Sequence, residues 1–435
     1  VLILLNGRSS MSIFNLLSLF LLLSTVAVIF NRKITKLPET SAVLLFSLGM
    51  SSILLALNKF ISPVVMDVPL QMVSSADMPN MLMHGILPIL LFAGAMQTNL
   101  RHLLNRVISV TALAVFGTLI SIFVFAGGLW GVLKLLHIPI SFTWCVVAGA
   151  ILSPTDPVSV VSLLKKLGLP APIQAVVAGE SLFNDGMAVT VFTVALALAT
   201  TPSMHGFTLV DAFAIFNREA VGGAVIGFVT GAIAAYTLKD IKDLQMTLLI
   251  SITLAICTFS VANYFDTSGA VAVVVAGLWM GSDMVNASVD NKVIITIKHF
   301  WEMIEGICNS LLFLTMGAEV LIMLPSKDAW PVVLACIPIS LIARFAGVSL
   351  VTLPLPIKYD SKKRLWSILT WGGIRGGVSV ALALGLPEGN VKNIIAPICY
   401  AVVVFTIIVQ GLTIEKLVKK MYGDSLETSL KELPH

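Results

Sequence analysis

Charge is scarce in this sequence. Asp, Glu, Lys and Arg make up 11% of its 435 residues, against about a quarter in an ordinary soluble domain. A soluble fold of this length needs more polar surface than that to cover itself. Cysteine is sparse too: Cys145, Cys257, Cys308, Cys336 and Cys399 stand apart, each in or beside an apolar stretch. Without a C-x-x-C or a paired framework, neither a disulfide scaffold nor a cysteine metal site is implied, and free cysteines packed among helices are expected. Catalytic signatures are missing. There is no H-E-x-x-H, no G-x-S-x-G and no phosphate-binding loop, so neither an enzyme nor a cofactor is expected. The net charge is +4, but no basic stripe with interleaved aromatics accompanies it, which argues against a nucleic-acid partner.

What the chain has instead is apolar length. Hydrophobic residues reach 57% and the mean hydropathy is +0.98. Runs of about 18 to 25 apolar residues recur, the length that crosses ~30 Å of hydrocarbon as a helix. Thirteen such segments are expected, near 12–30, 40–58, 80–98, 106–136, 142–164, 173–200, 219–238, 243–264, 267–283, 297–323, 329–353, 362–386 and 394–415. The first residue is Val1 and the first methionine Met11, so residues 1–10 are set aside as a leader or remnant. Loops are short and no soluble domain is inserted. Nineteen Lys and Arg fall on the side of the loops after odd-numbered segments and the C-terminal tail, and six on the other. The positive-inside rule then puts the C-terminus in the cytoplasm and the N-terminus outside, in a multi-pass protein of the cell inner membrane. Arg344 and Arg375 belong to neither side, because both lie inside apolar segments.

Two segments are interrupted at their centres. The fifth reads A-I-L-S-P-T-D-P-V-S from Ala150, and a continuous helix is not expected through Pro154 and Pro157. Asp156 before Pro157 suits an N-cap opening a new half-helix. The twelfth reads T-W-G-G-I-R-G-G-V from Thr370, four glycines around Arg375. Irregular backbone at membrane depth is tolerated only where protein or a cavity satisfies it. With the seventh segment as linker (about 219–238), repeat one (about 12–200) and repeat two (about 243–418) become two inverted six-helix halves of a single transporter domain spanning 1–435. The interruptions then occupy matching positions, which points to an ion or substrate site at the midplane.

The sixth segment reads G-E-S-L-F-N-D-G from Gly179. On a helix Glu180 and Asn184 share one face and Ser181 and Asp185 the next. Each intramembrane carboxylate costs at least ~2.5 kcal/mol if left unpaired. Arg375 is expected to pair with Glu180 as a structural ion pair. Asp185 is then left without a fixed counter-charge, so it must hold a proton or a cation. Ser181 and carbonyls near Thr155 supply neutral oxygens for a monovalent cation, an exchange site in few parts. A bracing Glu319–Arg344 pair is expected, with Glu302 near a cavity entrance, and structural roles are favoured for Glu302, Glu305 and Glu319. His84 reads as a packed or loop-edge histidine.

With S-P-T-D-P-V-S-V-V, G-E-S-L-F-N-D-G, T-W-G-G-I-R-G-G-V-S-V-A-L and N-S-L-L-F-L (from Asn309) on view, the chain resembles the NhaP/NHE branch of the cation–proton antiporters. The resemblance implies an all-α membrane protein of about 13 transmembrane helices with two crossed discontinuous helices, a core domain and a dimerisation domain. It implies a homodimer that exchanges Na⁺ or Li⁺ for protons by an elevator-like mechanism in the service of pH homeostasis. Asp185 would be the exchanging carboxylate and Asn184 the mark of the electroneutral branch. Glu180, Ser181 and Thr155 would complete or support the Na⁺ site. Relatives often carry a glutamate at Ala93 and an acid at Ala178, so the cytoplasmic approach is less negative here. A K⁺/H⁺ antiporter on the same scaffold is the alternative. A channel is disfavoured, since no symmetric carbonyl filter is present.

Overall fold

The computed structural model describes residues 13–60, 80–98, 100–156, 160–161, 163–164, 167–169, 171–200, 209–239, 241, 243–282, 290–319, 330–355 and 361–431. The described residues are all-helical, with no strand among them. Lipid offers the backbone no hydrogen-bond partner, so long apolar runs close their amides internally as helices.

The main elements are α1 (Ile13–Phe30), α2 (Glu39–Phe60), α3 (Leu87–Gln97), α4 (Val107–Leu135), α5 (Phe142–Ile151), α6 (Ala171–Thr200), α7 (Leu209–Leu238) and α8 (Leu244–Tyr264). They continue with α9 (Gly269–Met280), α10 (Asn291–Glu319), α11 (Trp330–Thr352), α12 (Lys362–Trp371), α13 (Gly377–Leu384), α14 (Asn390–Phe405) and α15 (Gly411–Lys431). Eight helical stretches among the described residues are long and apolar enough to cross a membrane, and Met81–Gln97, Phe142–Ile151 and Gly269–Met280 are shorter apolar helices. The protein is a multi-pass membrane protein. Large apolar side chains such as Phe213, Ile233, Leu249, Ile342 and Leu350 point outward, as a hydrocarbon solvent demands.

Where an apolar run does not decide a helix end, side chains do. Asp243 caps α8 by accepting from Met246 N at 2.9 Å, and Ser268 caps α9 by accepting from Val271 N at 3.3 Å. Each satisfies an amide that has no partner inside its helix. Single π turns interrupt α4 at Leu113–Gly117 and join α14 to α15 at Thr406–Gln410. Such turns often mark functional positions, and both of these lie against the site described below.

The helices form two packing groups. In one, α4, α5, α6, α11, α13 and α14 lie against one another. In the other, α2, α3, α7, α8, α9 and α10 do so. The second group is pinned by polar contacts to main chain. Ser47 Oγ donates to Leu314 O at 2.6 Å and Ser51 Oγ to Gly317 O at 2.8 Å, joining α2 to α10. Trp301 donates to Ser251 Oγ at 3.1 Å and stacks at a tilt on Phe92, ring centroids 4.7 Å apart. Glycines on α7 let it meet α9 backbone to backbone. A Cβ on Gly223 would lie 2.5 Å from Ser268 O, and one on Gly227 would lie 2.1 Å from Ala272 O. Small residues at such spacing are how membrane helices pack without a hydrophobic driving force.

Candidate functional site

The fifth segment does break. α5 ends at Ile151, residues 153–156 are non-helical, and helix resumes at the described residues 160–161. The twelfth breaks likewise, with 373–376 non-helical between α12 and α13. The two unwound strands meet: Asp156 N donates to Ile374 O at 2.7 Å. A Cβ on Gly376 would lie 3.0 Å from Asp156 Cβ, so glycine admits this approach. Pro157 lies outside the described residues, and with it the expected cap at Asp156.

Asn184 of α6 stitches the first strand in place. Its Oδ1 accepts from Thr118 Oγ1 at 2.6 Å and from Ser153 Oγ at 3.2 Å, and its Nδ2 donates to Ser153 O at 2.8 Å and to Thr155 Oγ1 at 3.4 Å. The amide therefore uses the hydrogen-bonding capacity of both ends on the discontinuity. Thr118, just after the π turn of α4, has no local sequence signal and was not foreseen.

The expected Glu180–Arg375 pair is not formed. Arg344 of α11 holds Glu180 instead, Nη1 to Oε1 at 2.6 Å and Nη2 to Oε2 at 2.7 Å, with both residues buried. A planar guanidinium matches a carboxylate with two parallel bonds, and α11 brings Arg344 in at that angle. Its Nε also donates to Leu369 O at 3.1 Å, satisfying a carbonyl at the end of α12. The Glu319 side chain lies outside the described residues, and with it the expected Glu319–Arg344 brace. Arg375 reaches across to the other discontinuity, where Nη1 donates to Ser153 O at 2.8 Å and Pro154 O at 3.4 Å. Its main-chain N donates to Thr406 Oγ1 at 3.1 Å, in the π turn after α14. Arg375 thus serves the carbonyls freed by the broken helix.

Asp185 is buried on α6 with Oδ1 accepting from Thr155 N at 3.3 Å, and it has no ion pair among the described residues. Ser181 Oγ and Thr155 Oγ1 lie 2.9 Å apart beside it. Asp185 lines an open cleft of about 520 Å³ with Asp156, Thr155, Glu305, Asn309 and Gly376 among its walls. A second, larger cleft of about 1310 Å³ runs from Lys36 and Glu415 to Asp156 and Ile374. Both follow the boundary between the two packing groups, and Asp156 lines both. Glu302, expected at a cavity entrance, is exposed beside His299 at 3.3 Å. The α10 carboxylate in the cleft is Glu305. His84 is exposed at the membrane-helix edge, its ring 5.9 Å from that of Phe259. The five cysteines are free.

The family model for the transmembrane sodium/hydrogen exchanger matches residues 19–420. The chain belongs to the sodium/hydrogen exchanger family. The Na(+)/H(+) antiporter NhaP of Pseudomonas aeruginosa is 34% identical over 426 residues, covering 95% of this exchanger and 99% of that protein. The Na(+)/H(+) antiporter NhaH of Halobacillus dabanensis is 33% identical over 405 residues, covering 93% and 96%. The solved sodium proton antiporter MjNhaP1 from Methanocaldococcus jannaschii at pH 8 superposes with a TM-score of 0.66 at 18% identity, covering 96% of this exchanger and 98% of that chain, which shows a shared fold.

Proposed function

We propose that this exchanger trades a monovalent cation, Na⁺ or Li⁺, for a proton at Asp185. The observation that carries the reading is the place of that carboxylate: buried, in the wall of an open cleft, and without an ion pair among the described residues. A carboxylate at that depth is stable only when it holds a proton or a cation, so arrival of one displaces the other. Ser181 and Thr155 are the neutral oxygen donors at hand. Glu180 and Asn184 act by support rather than as ligands, because Arg344 occupies both oxygens of the first, and Thr118 and the discontinuity occupy the second.

The exchange is one cation for one proton. Glu180 is balanced by Arg344. Asp156 sits on the strand that receives Arg375, flanked by the main chain of Ile374 and Gly376, and is counted as balanced there. Asp185 is then the one charge that alternates. Alternating access follows from movement of the group holding the two discontinuities against the α2, α3, α7–α10 group, in a homodimer. The two clefts along that boundary support this. The crossing of the two unwound strands supports thirteen spans in two inverted repeats about the α7 linker, and the loop charges support an inner-membrane orientation with the C-terminus in the cytoplasm.

The deciding experiment measures ion-driven ΔpH in proteoliposomes with Na⁺, Li⁺ and K⁺. Na⁺ and Li⁺ are expected to drive proton movement and K⁺ is not. Exchange with K⁺ alone would overturn the cation assignment, and no exchange with any of the three would overturn the reading.

A further inference from the structure

Glu305 sits in the middle of α10 and is buried, yet it lines the same cleft as Asp185. Asn309, one turn further along the same face, lines it too. The carboxylate therefore faces Asp185 and Asp156 from the opposite packing group, across the boundary where the two groups meet. Its Oε2 accepts from Gln97 Nε2. Gln97 is exposed at the last residue of α3, so this contact ties the buried acid to the aqueous end of that helix. Gly94 is the neighbour on the α3 side: a Cβ there would lie 3.9 Å from Glu305 Oε1 and meet nothing else within 4 Å. No bulkier side chain stands between α3 and the carboxylate at that point.

We infer that Glu305 is an affinity-setting carboxylate for the transported cation, lying on the route between the Gln97 end of the cleft and Asp185 and belonging to the group that does not carry Asp185. The inference rests on the reading of Asp185 as the exchanging carboxylate. The physical argument is focusing. A fixed negative charge in a narrow, low-dielectric cleft raises the local cation concentration, by tenfold or more in favourable geometries. Among the described α3 and α10 residues that line this wall of the cleft, Glu305 is the charged one. A Glu305 that only braced α10 on α3 would act on stability and on the amount of folded protein, and would leave cation affinity where it was.

The test is initial-rate Na⁺/H⁺ exchange in proteoliposomes across a range of Na⁺ concentrations, at fixed ionic strength. Glu305→Gln is expected to raise the half-saturating Na⁺ concentration about fivefold or more, with the maximal rate within about twofold of wild type. Adding Asn309→Asp to that variant, which returns a carboxylate to the same helix face one turn away, is expected to recover most of the lost affinity. Gln97→Lys, an exposed position, neutralises Glu305 without replacing it and is expected to repeat the weakened affinity even if Glu305→Gln does not assemble. A half-saturation point within about twofold of wild type in both Glu305→Gln and Gln97→Lys overturns the inference. So does a fall in maximal rate alone. Asp185→Asn, assayed in parallel, separates the two readings: exchange retained there overturns the role of Asp185, whereas an inactive Asp185→Asn beside unshifted Glu305→Gln and Gln97→Lys overturns only the role of Glu305.

Discussion

Arg344 grips Glu180 through two parallel hydrogen bonds of 2.6 and 2.7 Å, joining α11 to α6 in the buried centre of the protein. Breaking one side of such a pair leaves an uncompensated charge, which is destabilising by about 3–5 kcal/mol. Glu180→Gln and Arg344→Met are each expected to lower thermal stability in detergent sharply. Glu180→Leu with Arg344→Met is expected to recover much of the loss, since well-packed apolar residues replace a buried pair at little cost. Glu180→Gln combined with Arg375→Gln is expected to show no such recovery. Recovery in that second double variant would reassign the pair.

Asp185→Asn is expected to abolish Na⁺-driven proton movement while leaving the fold intact. Asn keeps an oxygen to accept from Thr155 N but holds neither a proton nor a cation at neutral charge. Size-exclusion behaviour and thermal stability close to wild type, with ΔpH at background level, is the expected pair of results.

One alternating carboxylate moves no net charge when it trades a proton for a monovalent cation. A membrane potential then has nothing to act on, whereas each moved charge would be worth ~2.3 kcal/mol per 100 mV. Imposing a valinomycin/K⁺ potential on proteoliposomes is expected to leave the initial Na⁺-driven ΔpH rate unchanged for either polarity. Acceleration by one polarity and slowing by the other would mean that a second group, Asp156 foremost, also releases its proton.

Gly227→Ala tests the α7–α9 contact. The added methyl would start 2.1 Å from Ala272 O, and main chain cannot turn aside as a side chain does. Overpacking of this kind typically costs 1–3 kcal/mol. The variant is expected to unfold at lower temperature in detergent, while Gly131→Ala on α4, where nothing lies within 4 Å, is expected to behave as wild type.

The interrupted helices and the position of Asp185 beside Ser181 on α6 were legible because their signals are local. Proline and glycine break a helix within a few residues, and a four-residue spacing puts Ser181 and Asp185 on one face. The partner of Glu180 was not legible. Arg344 and Arg375 carry the same signal, an arginine inside an apolar run, and the choice between them depends on how helices 164 positions apart in sequence cross. Glu302 and Glu305 differ in the same way: they lie within one turn of α10, and only the rotation of that helix decides which meets the cleft. Thr118 shows nothing in sequence, because its role exists only once α4 lies beside Asn184. Boundaries shifted where polar residues extend a helix past its apolar run, as at the start of α10, which includes Asn291 and Lys292.

The hydrogen bond from Asp156 N to Ile374 O bears on the order of biosynthesis. The first discontinuity is synthesised long before its partner, and during that interval the Asp156 amide lacks Ile374 O and the Pro154 carbonyl lacks Arg375, while Asn184 already serves Ser153 O. Unmet backbone groups are not tolerated in hydrocarbon. The segment around Asp156 therefore completes its folding only after the chain through Arg375 has entered the bilayer, however early its flanking helices insert. A nascent chain halted before α12 is an unfinished site rather than half a transporter.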